Sequence, residues 1–178
     1  MIKVIFALVV MLTGVFQSNA QVFIGLGFSD TQLSERALGD AAGFSLMVEK
    51  DVNLSKSTRC KMHPNLHVSF LFSGVDRDFN PIYLNIISIS PKVSYEVISI
   101  KKVKVAPYAN PFLSMLLGLQ SGDPALESAP IDKLKGGIES GVRVDMVLSK
   151  TTIRLIPIAV QLGESFYRQR MISLLFKL

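Results

Sequence analysis

His67 and Ser69 are the two residues whose types and spacing come nearest to chemistry. In an extended strand, side chains two apart point the same way. A histidine beside a serine, with a carboxylate behind it, is the apparatus of acyl transfer and would suit a lipid-modifying hydrolase. No nucleophile motif surrounds Ser69, so the pair reads as two polar residues on one strand face. Asp76-Arg77-Asp78-Phe79-Asn80 starts like a calcium loop. Pro81 then stands where the loop needs glycine, and Ile87 where it needs a bidentate glutamate. A solvated turn is the expectation there. His63 has no closed-site spacing with Cys60 or His67, and a single cysteine cannot form an internal disulfide. No catalytic residue, metal site or cofactor is expected.

The charges are more informative. Glu49, Lys92, Glu96, Lys104, Glu139, Arg143 and Asp145 occur singly, on faces that mix Ser, Gly, Ala and Asn with the bulkier Met47, Leu84, Tyr108 and Phe112. If those faces line an interior, the charges must pair, since unpaired burial is costly. They are read as one structural network. A proton or solute pathway is the sharper alternative, and a narrow interior argues against it.

The elements that must position these residues show themselves by alternation. Ile138, Val142, Val144, Met146 and Leu148 share one face of Ile138–Leu148, opposite Glu139, Gly141, Arg143, Asp145 and Val147. The same period of two runs through Val22–Phe28, Ala42–Lys50, Asn65–Ser73, Tyr83–Val97, Val103–Met115 and Ile172–Leu178. Thr152–Leu162 is an apolar run around Arg154 and Pro157 whose faces cannot be assigned. Eight strands result. The connections at about 30–41, 74–81 and 118–134 are long, and those at about 51–56, 98–101 and 149–151 are short. The connection near Gly163-Glu164-Ser165 is short where a long one is expected.

The chain has 178 residues, 49% of them hydrophobic and 19% charged, and its mean hydropathy is +0.39. That excludes disorder and a disulfide-dense scaffold. Nineteen Lys and Arg outnumber fourteen Asp and Glu, but no basic block supports nucleic-acid binding. Residues 1–20 read as a cleaved signal peptide: Lys3, an apolar run, then Ser18-Asn19-Ala20, with a mature start at Gln21. An apolar exported chain with no second long hydrophobic run needs another way to be apolar. Lipid admits only helices or closed barrels, because every backbone polar group must be paired. The expectation for residues 21–178 is therefore one all-β domain, an eight-stranded antiparallel up-and-down transmembrane β-barrel in the bacterial outer membrane. An aromatic girdle would draw on Phe44, Phe72, Tyr83, Tyr95, Phe166 and Phe176, as Trp is absent. A soluble lipocalin-like carrier is the competing fold.

Ile89-Ser90-Pro91-Lys92-Val93-Ser94-Tyr95-Glu96, Ala106-Pro107-Tyr108 and the closing Leu174-Leu175-Phe176-Lys177-Leu178 resemble small outer-membrane β-barrel proteins of the PorT-like type. The resemblance spans about Gln21 to Leu178. The chain departs from the usual pattern by ending in Leu178, with Phe176 two residues earlier. The resemblance implies an integral protein surrounded by outer-membrane lipid and inserted by the barrel-assembly machinery that reads a terminal strand. It also leans towards a structural or interaction role with envelope or secretion partners.

Overall fold

The structure, a computed structural model, describes residues 21–32, 41–53, 59–73, 82–120, 129–163 and 167–178. The signal segment 1–20, the acidic motif 76–80, the centres of the three long connections, residues 164–165 and Phe166 lie outside these. The regular structure of the described residues is all strand: β1 Val22–Gln32, β2 Ala41–Lys50, β3 Val52–Asn53, β4 Cys60–Ser73, β5 Ile82–Tyr95, β6 Ile98–Ile100, β7 Val103–Gln120, β8 Ala129–Val147, β9 Thr152–Gly163 and β10 Arg168–Lys177. Every pairing is antiparallel, and β1 pairs with both β2 and β10 while β2 pairs with β4, so the sheet closes. Eight strands form the wall. The short β3 and β6 lengthen two hairpins at the end where β1 begins, which we call the turn end. The opposite end is the loop end.

Following paired residues once round gives the stagger of the wall. Leu134 faces Met115, then Ile87, Val68, Leu46, Leu26, Leu174 and Leu155, and the path returns to β8 at Val144, ten residues further on. Stagger of this size in eight strands tilts them by about 40°. Every residue on that path is apolar, because all of them face outwards. Leu26, Leu46, Phe28, Phe44, Ile138, Ile172 and Leu174 are exposed, and their neighbours in sequence are buried or half-buried. The apolar side of this barrel is its outside.

Three details depart from the sequence reading. Residues 118–134 are not mainly a connection: β7 runs to Gln120 and β8 starts at Ala129, with Gly118 paired to Ile131. Likewise, residues 98–100 are strand, and the turn is Lys101-Lys102. Within β9 the facing inverts. Thr152, Arg154 and Ile156 are buried, then Ala159 and Gln161, with Pro157 and Ile158 both exposed between them. The pairing register of β9 slips there against both β8 and β10. Pro157 has no N–H to give to a ladder, and bulges are where a strand proline is tolerated. The bulge is why no single period fits this segment.

Candidate functional site

The interior near the turn end is held by Arg154, which no alternation pattern marks as inward. It is fully buried. Its Nε and Nη2 donate to the Asp145 carboxylate at 2.8 and 3.0 Å, and Nη1 and Nη2 donate to Asp51 at 2.8 and 3.0 Å. Nη1 also donates to Glu49. The guanidinium stacks 3.7 Å above the Phe23 ring centroid. Planar forks of this kind match carboxylates in pairs. Lys92 Nζ lies 3.4 Å from Glu49 and 3.2 Å from Glu139, and 5.0 Å over the Tyr108 ring. Glu139 accepts further hydrogen bonds from Gln161 Nε2 at 2.9 Å and Ser90 Oγ at 3.3 Å.

Arg143 Nε is 3.4 Å from Asp145, and its guanidinium lies against the His63 ring. His63 Nδ1 donates to Asp51 at 2.7 Å, and its Nε2 is 2.7 Å from Ser94 Oγ. These contacts join β2, β4, β5, β8 and β9 across the interior. Of the seven charges singled out in the sequence, Glu49, Lys92, Glu139, Arg143 and Asp145 meet here. Glu96 and Lys104 are placed elsewhere: they pair with each other at 3.1 Å on the turn-end rim, with Lys104 one-third exposed. Although its partial burial acts to raise the Glu96 pKa, hydrogen bonds from Lys104 and Ser99 hold it below the ordinary carboxylate value. Arg154, Asp51 and His63 were missed. Asp51 lies just past an alternating run, and His63 was weighed only as a metal ligand. A proline inside an apolar strand was the signal that could have revealed Arg154.

Glu49, Asp51 and His63 place ligand atoms within 4.8 Å of one another, enough to hold an ion. Arg154 already lies on both carboxylates and Arg143 on the imidazole, so a cation would have to displace guanidinium groups. The donor set suits the arginines, not a metal.

His67 Nε2 and Ser69 Oγ are 3.0 Å apart, the distance a nucleophile and its base require. Both are fully buried. Ser69 also bonds Ser29 at 3.3 Å and accepts from Gln169 Nε2 at 3.0 Å. His67 Nδ1 has no hydrogen-bond partner among the described residues. A base needs a third group to fix its tautomer and a route for substrate, and neither accompanies this pair among the described residues. Towards the loop end Ala41, Leu71, Leu84, Ile86, Phe112, Leu116 and Tyr167 form one buried apolar cluster, beside buried Thr31, Gln161 and Gln169; a second, with Phe23, Met47 and Tyr108, lies among the charges.

No family model matches the chain. No curated protein matches it either. Solved structures do. Neisserial surface protein A superposes with a TM-score of 0.60 and 15% identity, over 90% of this chain and 97% of that one. Ail, the attachment invasion locus protein of Yersinia pestis, gives 0.57 and 9%, over 89% and 95%. A major outer membrane protein from Thermus thermophilus gives 0.55 and 13%, over 90% and 100%. The fold is shared. At these identities the likeness concerns the eight-stranded barrel and nothing finer.

Proposed function

We propose that the chain is an integral β-barrel of a bacterial outer membrane, with an interior closed by its own side chains and a structural or interaction role. The observation that carries this is the outer face: apolar residues cover the outside of the wall, while Glu49, Lys92, Glu139, Arg143, Asp145 and Arg154 are held inside. A water-soluble carrier of the lipocalin kind needs a polar exterior instead. Lipid around the wall would satisfy the exposed Leu26, Leu46, Phe44 and Ile138. The hydrolase reading is weaker, as His67 and Ser69 are buried without an orienting acid among the described residues.

In this reading residues 1–20 are a signal peptide removed on export, and the barrel-assembly machinery inserts residues 21–178. Connections 33–40, 74–81 and 121–128 would be displayed at the loop end, open to envelope or secretion partners. The PorT-like assignment belongs to the same proposal. It rests on Ile89–Glu96, Ala106–Tyr108 and Leu174–Leu178; Pro91, Val93 and Tyr95 of the first lie outwards towards the turn end of β5.

The test is heat modifiability. A closed barrel keeps its strand hydrogen bonds in detergent until boiled, so unboiled and boiled protein should migrate differently on a denaturing gel. Identical migration, with the protein freely soluble in plain buffer, would return the chain to the soluble reading.

A further inference from the structure

Lysines gather at one arc of the turn end. Lys101 and Lys102 form the tip of the β6–β7 hairpin, Lys150 lies in the β8–β9 turn, and Lys177 ends β10. Two hydrogen bonds join the strand ends that carry them. Val147 N–H donates to Lys102 O at 2.7 Å, and Thr151 Oγ1 donates to Lys177 O at 3.4 Å. Lys101, Lys102 and Lys150 are exposed; Lys177, half-buried and paired with the inward-facing Phe23, lines the interior side of the rim and stands apart from the other three. None of the four has an ion-pair partner among the described residues. The acids nearby are already committed: Glu96 to Lys104, Asp145 to Arg154, and Asp51 to Arg154 and Lys61.

The hairpin that carries the first two lysines is not an ordinary solvated turn. Ile98, Ile100, Val103 and Val105 share the face that continues outwards into Val144 and Met146 of β8. Ile100 is 65% exposed and Ile98 45%. The apolar outer face of the wall therefore runs to the very tip, where it meets two cations. Lys101 takes a left-handed backbone, φ 51°, where glycine or asparagine is favoured. An apolar stem ending in lysine is the arrangement that lets an ammonium sit among headgroups while its strand stays in hydrocarbon.

We propose that this arc binds the phosphate groups of anionic phospholipids in the leaflet at the turn end, and so fixes the depth of the barrel. The proposal rests on the bilayer-spanning reading above. Each lysine held near an anionic leaflet multiplies local partition by about fivefold.

The experiment uses the refolded mature chain in nanodiscs of phosphatidylcholine alone, or of phosphatidylcholine doped with phosphatidylglycerol. The temperature at which the folded gel band is lost is read in each. The expected result is a higher midpoint in the doped discs, abolished by high salt. The combined variant Lys101→Gln, Lys102→Gln, Lys150→Gln should lose that rise and keep the native midpoint in phosphatidylcholine. Should it fail to fold, Lys101→Gln with Lys102→Gln, confined to one turn, should lose part of the rise. An equal rise in the variants, or none in the native chain, overturns the proposal. So does a full rise produced in phosphatidylcholine by inorganic phosphate, which would assign the site to the free anion. A rise produced there by a polyglutamate peptide would assign it to an acidic protein face, again against lipid. If the native chain forms no folded band in phosphatidylcholine, the barrel reading itself fails, a result distinct from the others.

Discussion

Arg154 answers two carboxylates with bidentate bonds and a third with a single one, from a position with no exposure. Removing one member of such a set leaves buried charge without compensation. Arg154→Leu should therefore cost about 3–5 kcal/mol in urea unfolding of the detergent-folded barrel. Arg154→Lys should recover little of that, because one ammonium cannot fork onto two carboxylates. Equal midpoints for native and Arg154→Leu would mean that the network contributes nothing. A second residue-level prediction concerns Gly141, which lies opposite Tyr108. A Cβ there would be 2.6 Å from the Tyr108 hydroxyl and 2.6 Å from the Ile158 carbonyl oxygen. Gly141→Val should lower the unfolding free energy by about 1–3 kcal/mol through overpacking, read by the same titration. At this scale the sequence was only partly legible. Glu49, Glu139, Arg143 and Asp145 fall in clean period-two runs, so their common facing could be read. Arg154 could not, since the residues around it belong to two opposite phases.

The phase change belongs to β9. Deleting Pro157 would remove the bulge and turn either the Arg154 half or the Gln161 half of the strand towards the outside. The expected outcome is loss of the heat-modifiable band, and a normally folded deletion would show that the bulge is dispensable. The outward face can be probed on the path that circles the wall. Leu26 lies midway along it, while Val144 lies near the turn end, where β8 stops at Val147. Leu26→Arg should cost about 2–4 kcal/mol if lipid surrounds the wall, and Val144→Arg less, as the penalty falls towards the interface. Equal tolerance of both, measured by urea unfolding in lipid, would mean that the outer face is not in hydrocarbon. Alternation was a faithful guide wherever the interior is polar. It failed between Met115 and Leu134 for the complementary reason. Leu116 faces inwards beside Leu84 and Ile86, so both faces of the strand are apolar and the period disappears. Glycine, proline and serine near residues 118–124 then made a strand end look like a loop.

For the whole barrel, the interior mixes charges, polar groups and apolar side chains along its axis. The arginine and lysine ties lie among Phe23, Met47 and Tyr108, and Leu71, Leu84, Phe112 and Leu116 lie towards the loop end near Ser114, Gln161 and Gln169. An ion crossing would have to break paired charges and then traverse apolar side chains. We expect no sustained conductance from the native protein in planar bilayers. Reproducible single-channel steps that change with Arg143→Ala or Asp145→Ala would replace the closed-interior reading with a small channel. The overall architecture was the most legible level of all. Apolar residues recur at the outward positions of strand after strand, so the signal repeats and survives local errors about where a strand ends.

The seam between β1 and β10 carries a kinetic consequence. It pairs Phe23 with Lys177 and Gln32 with Arg168, joining the first strand to the last. Contacts so distant in sequence make folding slow, because closure must await the ordering of nearly everything between them. Until β10 arrives, the wall is an open sheet with two unpaired edges and an apolar face, the form most prone to join other chains. Its vulnerable interval is thus the time between leaving the ribosome and zipping that seam. Conditions that lengthen the interval should favour aggregates, even though they leave the finished barrel as stable as before.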